Sequence, residues 1–238
     1  MMDYLVFQLY APLVSWGTQA VGEERLIEDH PTRSALLGLL AAALGIERSD
    51  DTRHQSLSDA CRFGIKLVAP GLMLRDFHTT QVPPSSRKMQ HLQTRRDELR
   101  EQKLGTILSY RSYLQDTVNI VAVESLHADW PLEVLQQALE RPRFHLYLGR
   151  KSCPPALPLN PSIVKADTLK QALDGYDLSE TLTAVPMLEK ATPRYFWEAG
   201  MNAGIEHHYR IPRYDQPISR HRWQFAPRDE YASLGGGE

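Results

Sequence analysis

The sequence predicts an α+β fold in which two strand–helix–strand units share one sheet, with a long polar insertion at the centre and a β-rich tail. Three observations predict it. Short, mostly apolar runs at Tyr4–Leu9, Phe63–Val68, Thr117–Val123 and Phe144–Leu148 have the length and composition of buried strands. Amphipathic runs at Ala35–Leu44 and Leu132–Glu140 fall between the first and second and between the third and fourth of these. Roughly fifty residues, poor in apolar side chains, separate the second strand from the third.

Taken in order, the first strand ends at Ala11-Pro12, and a loop follows with Ser15-Trp16-Gly17 and an acidic patch from Glu23 to Asp29. Thr32 suits an N-cap, Leu36, Leu37, Leu40 and Leu44 make one apolar face, and Gly45 suits the C-terminal cap. Gly38 within this helix is expected to permit close packing on a sheet. Arg48, just beyond, is expected to be an ordinary surface cation. A weaker helix spans about Thr52 to Cys61, and the second strand closes at Ala69-Pro70-Gly71. From Leu74 to Tyr113 periodicity is poor and cations gather, with a short helix near Arg95–Leu104. Asp129-Trp130-Pro131 offers a cap and a first-turn proline for the next helix, which turns Leu132, Leu135 and Leu139 inward and stops at Pro142.

This order is the β-α-β-β-α-β of a ferredoxin-like fold, placed over residues 1–155 with an insertion at about 75–113 in its central hairpin. A hairpin insertion of that length is either disordered or functional, and its length favours function. From Thr80 to Leu104 it has too few apolar side chains to offset the entropy of ordering. Beyond it, Pro154, Pro155, Pro158 and Pro161 mark an irregular crossover. A short helix at 167–176 takes Asp167 as cap and Gly175 as stop. Strand-like pieces at Leu182–Leu188, Arg194–Trp197, His208–Ile211 and Arg220–Phe225 make 156–238 a small β-rich appendage.

Composition narrows the function. A chain of 238 residues can bury a sizeable core, and its formal net charge of -2 means that any nucleic-acid role must rest on local basic patches. Cys61 and Cys153 are the only cysteines, so neither a disulfide framework nor a CxxC metal site is expected. The first residues lack a basic segment followed by a long apolar run, and no apolar stretch reaches membrane-spanning length, so a cytoplasmic protein without membrane contact is expected. No HExxH, HxH, GxSxG, GxGxxG or P-loop pattern occurs, and His207 and His208 would face opposite ways in a strand. No metal or cofactor is expected. His78, Tyr110, Tyr113 and Lys151 have the acid, base and cation chemistry of a metal-independent endoribonuclease, the alternative reading, but nothing in their spacing makes them converge.

The stretch Tyr147-Leu148-Gly149-Arg150-Lys151-Ser152-Cys153-Pro154 is the most pointed. Gly149 lets the backbone turn, Arg150 and Lys151 supply a fork and a point charge suited to phosphate, and Ser152 adds a small donor. Arg33 sits in the first turn of the best helix, where free N–H groups favour an anion. Arg75, His78, Arg87, Lys88 and Arg111 lie in or beside the insertion, and Trp16, Phe77, Tyr110, Tyr113 and Tyr147 interleave with the cations. Cations on phosphates and rings on bases are how single-stranded RNA is held. Taken singly, a cation of this kind is more often a solvated side chain, and Tyr110, Tyr113 and Tyr147 are more often half-buried packing.

Several blocks occur together in one order: Ser15-Trp16-Gly17, Pro31-Thr32-Arg33-Ser34 with Leu36-Leu37-Gly38, Leu74-Arg75-Asp76-Phe77-His78-Thr79, Arg111-Ser112-Tyr113-Leu114, and the Gly149-Arg150-Lys151-Ser152-Cys153-Pro154 block. In this the chain resembles the CasD family of type I-E CRISPR Cascade subunits over most of residues 1–165. Beyond Lys165 the likeness thins to Phe225–Tyr231. The resemblance implies an RNA-recognition-motif-like (RAMP-type) domain whose insertion forms a thumb. It implies a non-catalytic protein that binds the 5′ handle of the crRNA and caps the backbone filament. Its partners would be a neighbouring backbone subunit, the large PAM-reading subunit and, indirectly, target DNA. The blocks add Ser34 to the RNA-binding set of Trp16, Arg33, Arg75, His78, Arg87, Lys88, Arg111, Tyr113, Tyr147, Gly149, Arg150, Lys151 and Ser152.

Overall fold

The computed structural model describes residues 1–20, 22–83, 93–100, 103–183 and 191–235. Strand β1 (Met2–Val14) is apolar on both faces, and β5 (Gly105–Ser125) pairs antiparallel to it from Leu5 opposite Val123 to Val14 opposite Leu114. β3 (Cys61–Ala69) flanks β5 on the other side, and β6 (Ser162–Ala166) closes the far edge against β1, both antiparallel. From β3 the sheet runs on through β7 (Arg194–Glu198), β9 (Gln224–Leu234) and β8 (Tyr209–Ser219), giving the order β6-β1-β5-β3-β7-β9-β8. The tail residues expected as an appendage therefore continue the same large, mainly antiparallel sheet.

Strands apolar on both faces need cover on both faces. Alternate residues of β1 point opposite ways. Leu5, Phe7 and Leu9 join the core under α1 (Arg33–Leu44), α2 (Asp51–Ala60) and α4 (Leu132–Glu140). Tyr4 and Val6 join a second core with α5 (Leu169–Asp174), Tyr195 and Trp197. Helix α1 ends as its sequence directs. The Thr32 hydroxyl accepts from the Ala35 N–H at 3.3 Å, and Gly45, at φ +71°, lets Ile46 N–H reach the Ala41 carbonyl.

Some expectations are corrected. Phe144–Leu148 is not a strand. Arg143 and Phe144 donate their N–H groups to the Ala43 and Ala42 carbonyls at 3.0 and 3.1 Å, so this segment satisfies the end of α1, and β6 takes the sheet edge instead. Pro131, not Asp129, holds the N-cap position of α4, without a side-chain cap. Thr168, not Asp167, caps α5. The strand expected at Leu182–Leu188 begins instead in the short helix α6 (Glu180–Thr183), and its remainder lies outside the described residues. Gly38 faces the Arg220 guanidinium rather than the sheet.

The described part of the insertion forms a ribbon. β4 (Leu72–Val82) pairs antiparallel with the outer half of β5, from Leu72 opposite Gln115 to Val82 opposite Gly105, and the short α3 (Arg95–Glu98) follows it. Asp116, at φ +54°, marks where β5 leaves the ribbon and enters the sheet, and the Tyr10 hydroxyl donates to its carboxylate at 3.1 Å. The two-residue β2 (Glu24–Arg25) lies parallel to β5 beside Tyr110 and Arg111.

A buried charge network ties the last hairpin to the first helix. Asp215 of β8 accepts the Arg33 backbone N–H at 2.7 Å and is held by Arg228 through two contacts at 2.6 and 3.0 Å. Glu230 of β9 accepts from Arg213 (2.8 Å), Arg228 (2.9 Å) and His30 (3.0 Å). Burial opposes ionisation of Glu230, but the His30 hydrogen bond and the charges of His30, Arg228 and Arg213 win and hold its pKa at about 2. Burial likewise opposes charging His30, yet its bonds to Asp29 and Glu230 raise its pKa. A depressed carboxylate stabilises the fold above its ordinary 4.5 and loses that contribution as pH falls toward about 2. A raised histidine contributes fully below its ordinary 6.5 and loses the contribution as pH rises through its folded value. Calorimetry against pH should therefore show a plateau in melting temperature between 4.5 and 6.5 with a fall on either side. In His30→Gln the alkaline fall should flatten, and the acid fall should shrink without vanishing, because Arg228 and Arg213 still act on Glu230.

Candidate nucleic-acid interface

The site is built where three loops meet the start of α1. Gly149 turns at φ +90°, and a Cβ there would overlap the Ser15 carbonyl oxygen. Ser15 N–H donates to the Leu148 carbonyl at 3.1 Å, and Leu148 N–H donates to the Cys153 carbonyl at 2.7 Å. The Gly149–Cys153 loop is thus pressed against the chain leaving β1. This aims Arg150 across the Tyr113 ring, its guanidinium carbon 4.5 Å from the ring centre. On the opposite side the β8–β9 turn brings Arg220, Trp223 and Phe225 against the start of α1, with Arg220 donating to the Ser34 carbonyl at 2.5 Å.

Between these walls lies a cleft of about 650 Å³. Its described lining holds three arginines (Arg25, Arg150 and Arg220), three aromatics (Tyr147, Trp223 and Phe225), and no acid. Among the described residues none of the three arginines has a carboxylate partner. Arg25 donates to the Gly22 and Glu24 carbonyls, and Arg150 leaves one buried guanidinium nitrogen without a partner among the described residues. Burial lowers the Arg220 pKa, against the opposing effect of Tyr147, with a smaller repulsion from Arg48 added. Half-buried cations with no carboxylate partner among the described residues make a site suited to an anion.

The residues singled out in the sequence divide sharply. Ser34, Tyr147, Gly149 and Arg150 line the cleft, and Lys151 and Ser152 are exposed beside it. Arg33 does not join them. Its guanidinium is buried in an ion pair with Glu198 and donates to the Ser58 and Cys61 carbonyls at 2.6 and 3.1 Å, while Asp215 occupies the helix terminus. Trp16 is packed in the core and Tyr113 lies buried beneath Arg150, so neither ring is free to stack on a base. Arg75 is paired with Glu24 at 2.5 Å and lies over Tyr110, and His78 is bonded to Asp76 at 2.5 Å. Both lie on the ribbon with Arg111, outside the cleft lining. Arg87 and Lys88 lie outside the described residues.

Sequence reasoning missed Arg25, Arg220, Trp223 and Phe225. The last three sit in a turn some seventy residues beyond Gly149, and Arg25 sits in a patch read as acidic. Arg48, expected to be an idle surface cation, stacks on Trp223 at 4.2 Å.

The family model described as CRISPR-associated protein (Cas_Cas5) matches residues 4–230. The chain belongs to the Cas5 family. The match runs through the tail, where the sequence resemblance had thinned. The chain is 31% identical over 245 residues to the CRISPR system Cascade subunit CasD of Escherichia coli (strain K12), spanning 99% of this chain and 98% of that protein. In fold, this Cas5 protein matches a structure titled CRISPR RNA-guided surveillance complex, with TM-score 0.65 and 24% identity over 98% of this chain and 90% of that one. It also matches a structure titled Crystal structure of Cas protein, with TM-score 0.59 and 29% identity over 97% and 94%.

Gly149 is the most sensitive point of the cleft wall. Gly149→Ala should cost roughly 1–3 kcal/mol from the left-handed backbone alone, with the clash against Ser15 added. Chemical denaturation of the variant should show a lower midpoint, and an unchanged midpoint would mean that the loop is not pressed on Ser15 as described.

Proposed function

We propose that this Cas5 protein is a non-catalytic RNA-binding subunit of a Cascade surveillance complex. In this reading it holds the 5′ handle of crRNA in the arginine–aromatic cleft and caps the backbone filament. One observation carries the reading: three arginines without carboxylate partners among the described residues and three aromatic rings face one cleft whose described lining contains no acid. The shape and chemistry fit a single strand, with phosphates on the cations and bases on the rings. The near full-length likeness to a Cascade subunit supplies the assembly.

The strand order β6-β1-β5-β3, with α1 and α4 in one core, supports a ferredoxin-like core in which β6 is the fourth strand. The β4–β5 ribbon is the thumb of this reading. Its exposed Leu72, Met73, Phe77 and Ile107 offer the apolar surface that a neighbouring backbone subunit would cover. The large PAM-reading subunit is the second expected neighbour, with target DNA reached through the assembly. The absence of catalysis is supported by dispersal of the acid–base candidates. His78 lies opposite Ser109, four residues along β5 from Tyr113, or about 13 Å.

The test uses the assembled complex with its guide RNA. Arg150→Ala combined with Lys151→Ala should lower RNA retention as salt rises, with the salt slope reduced by about one for each phosphate that is no longer neutralised. Lys165→Ala, an exposed cation on the edge strand β6, serves as control and should retain RNA normally. Arg48 is unsuitable for this purpose because it touches the cleft wall through Trp223. Equal retention by the double variant and the control across the salt series would refute the cleft assignment. Specific cleavage of repeat RNA by the pure protein in EDTA would replace it with the endoribonuclease.

A further inference from the structure

The β8–β9 turn carries a feature that phosphate binding does not use. The chain has four tryptophans, and Trp16, Trp130 and Trp197 are buried. Trp223 is 56% exposed. It also sits at φ +51°, a left-handed conformation that costs a bulky side chain roughly 1–3 kcal/mol and that turns ordinarily assign to Gly or Asn. A turn shaped by stability alone has no use for an exposed indole there. The ring is nonetheless held. The Arg48 guanidinium lies over it at 4.2 Å, Phe225 stacks at 5.9 Å and 24°, and Arg48 donates to the Arg220 carbonyl at 3.4 Å. Ser219 and the Arg220 and His221 N–H groups bond to Asp51, fixing the turn to α2. An oriented, exposed aromatic ring backed by a cation lines a cleft whose cations have no carboxylate partner among the described residues.

We infer that Trp223 is a stacking platform for an unpaired base of the strand in the cleft, and that Arg48 and Phe225 hold its ring in place. This rests on the reading of the cleft as an RNA site and adds to it a base contact on the C-terminal hairpin. The strand is gripped from both walls. Arg150 takes phosphate on one side, and on the other Arg220 takes phosphate while Trp223 takes a base. Stacking is tolerant of sequence because every base has a π-face, so the contact contributes affinity and register rather than base choice. An ordered ring loses little freedom on binding, which is what a pre-formed platform contributes.

Trp223 is the exposed tryptophan, so the acrylamide-accessible part of the intrinsic fluorescence reports on it. The full chain is titrated with a short single-stranded RNA of mixed sequence and with an abasic oligonucleotide of equal length. The RNA should quench the emission and protect it from acrylamide, and the abasic strand should do neither. Trp223→Ala should weaken RNA binding roughly five- to one-hundred-fold and leave abasic binding unchanged, while Trp223→Phe should restore most of the affinity. Matching melting temperatures for the two variants place the loss in binding rather than folding. If RNA binds, depends on Arg150 and Lys151, and yet leaves the emission unchanged or binds Trp223→Ala with full affinity, the platform is refuted and the cleft reading stands. If the wild-type chain fails to bind RNA, or binds it without regard to Arg150 and Lys151 and without quenching, both are refuted.

Discussion

The position of the cleft depends on the buried carboxylate of Asp215. It takes the first N–H of α1 in place of a ligand and is itself gripped by Arg228, which also reaches Glu230. A helix N-terminus is a ready anion site, and here the protein fills it with its own anion from the other end of the chain. Buried ion pairs contribute little net stability against apolar replacements, but removing one partner leaves an uncompensated charge costing about 3–5 kcal/mol. Such a network therefore acts as a register. It permits one placement of the last hairpin on the first helix, and that placement sets Trp223 and Phe225 across from Tyr147.

Pairing of charge separates the cations held by carboxylates from those left facing the cleft. Arg33, Arg213 and Arg228 are each met by carboxylates inside the fold, and Arg75, Arg194 and Arg210 are met by carboxylates nearer its surface. The acidic patch after Trp16 is spent in this way, with Glu24 on Arg75, Glu28 on Arg213 and Asp29 on His30 and Arg194. Arg25, Arg150 and Arg220 are left facing the cleft. A net charge of -2 conceals this arrangement because the acids are consumed elsewhere.

The helices were legible because their signals are local. Thr32, Gly45 and the leucines between them fix α1 within a dozen residues, and the apolar strands announce β1, β3 and the inner half of β5. The ribbon was not legible as strands, because both its faces are largely exposed and no apolar alternation marks it. Phe144–Leu148 has the composition of a strand, but its first N–H groups are taken by the C-terminal carbonyls of α1, a competition invisible in composition. Half of the cleft was legible at Gly149-Arg150, where an obligatory turn and its cation are adjacent in sequence. The other half comes from a turn that long-range contacts bring near, those of Asp215 and Glu230 and those of Asp51 with the turn itself. Arg33 was misread for the same reason: its position at a helix start is local, whereas its partner Glu198 is 165 residues away.

The most direct test of the account is ultraviolet crosslinking of the RNA-bound complex, with the crosslinked peptides identified by mass spectrometry. If the strand lies in the cleft, crosslinks fall on the peptides carrying Tyr147, Trp223 or Phe225. Crosslinks confined to Phe77 and Tyr110 of the ribbon, with the cleft aromatics silent, would contradict it.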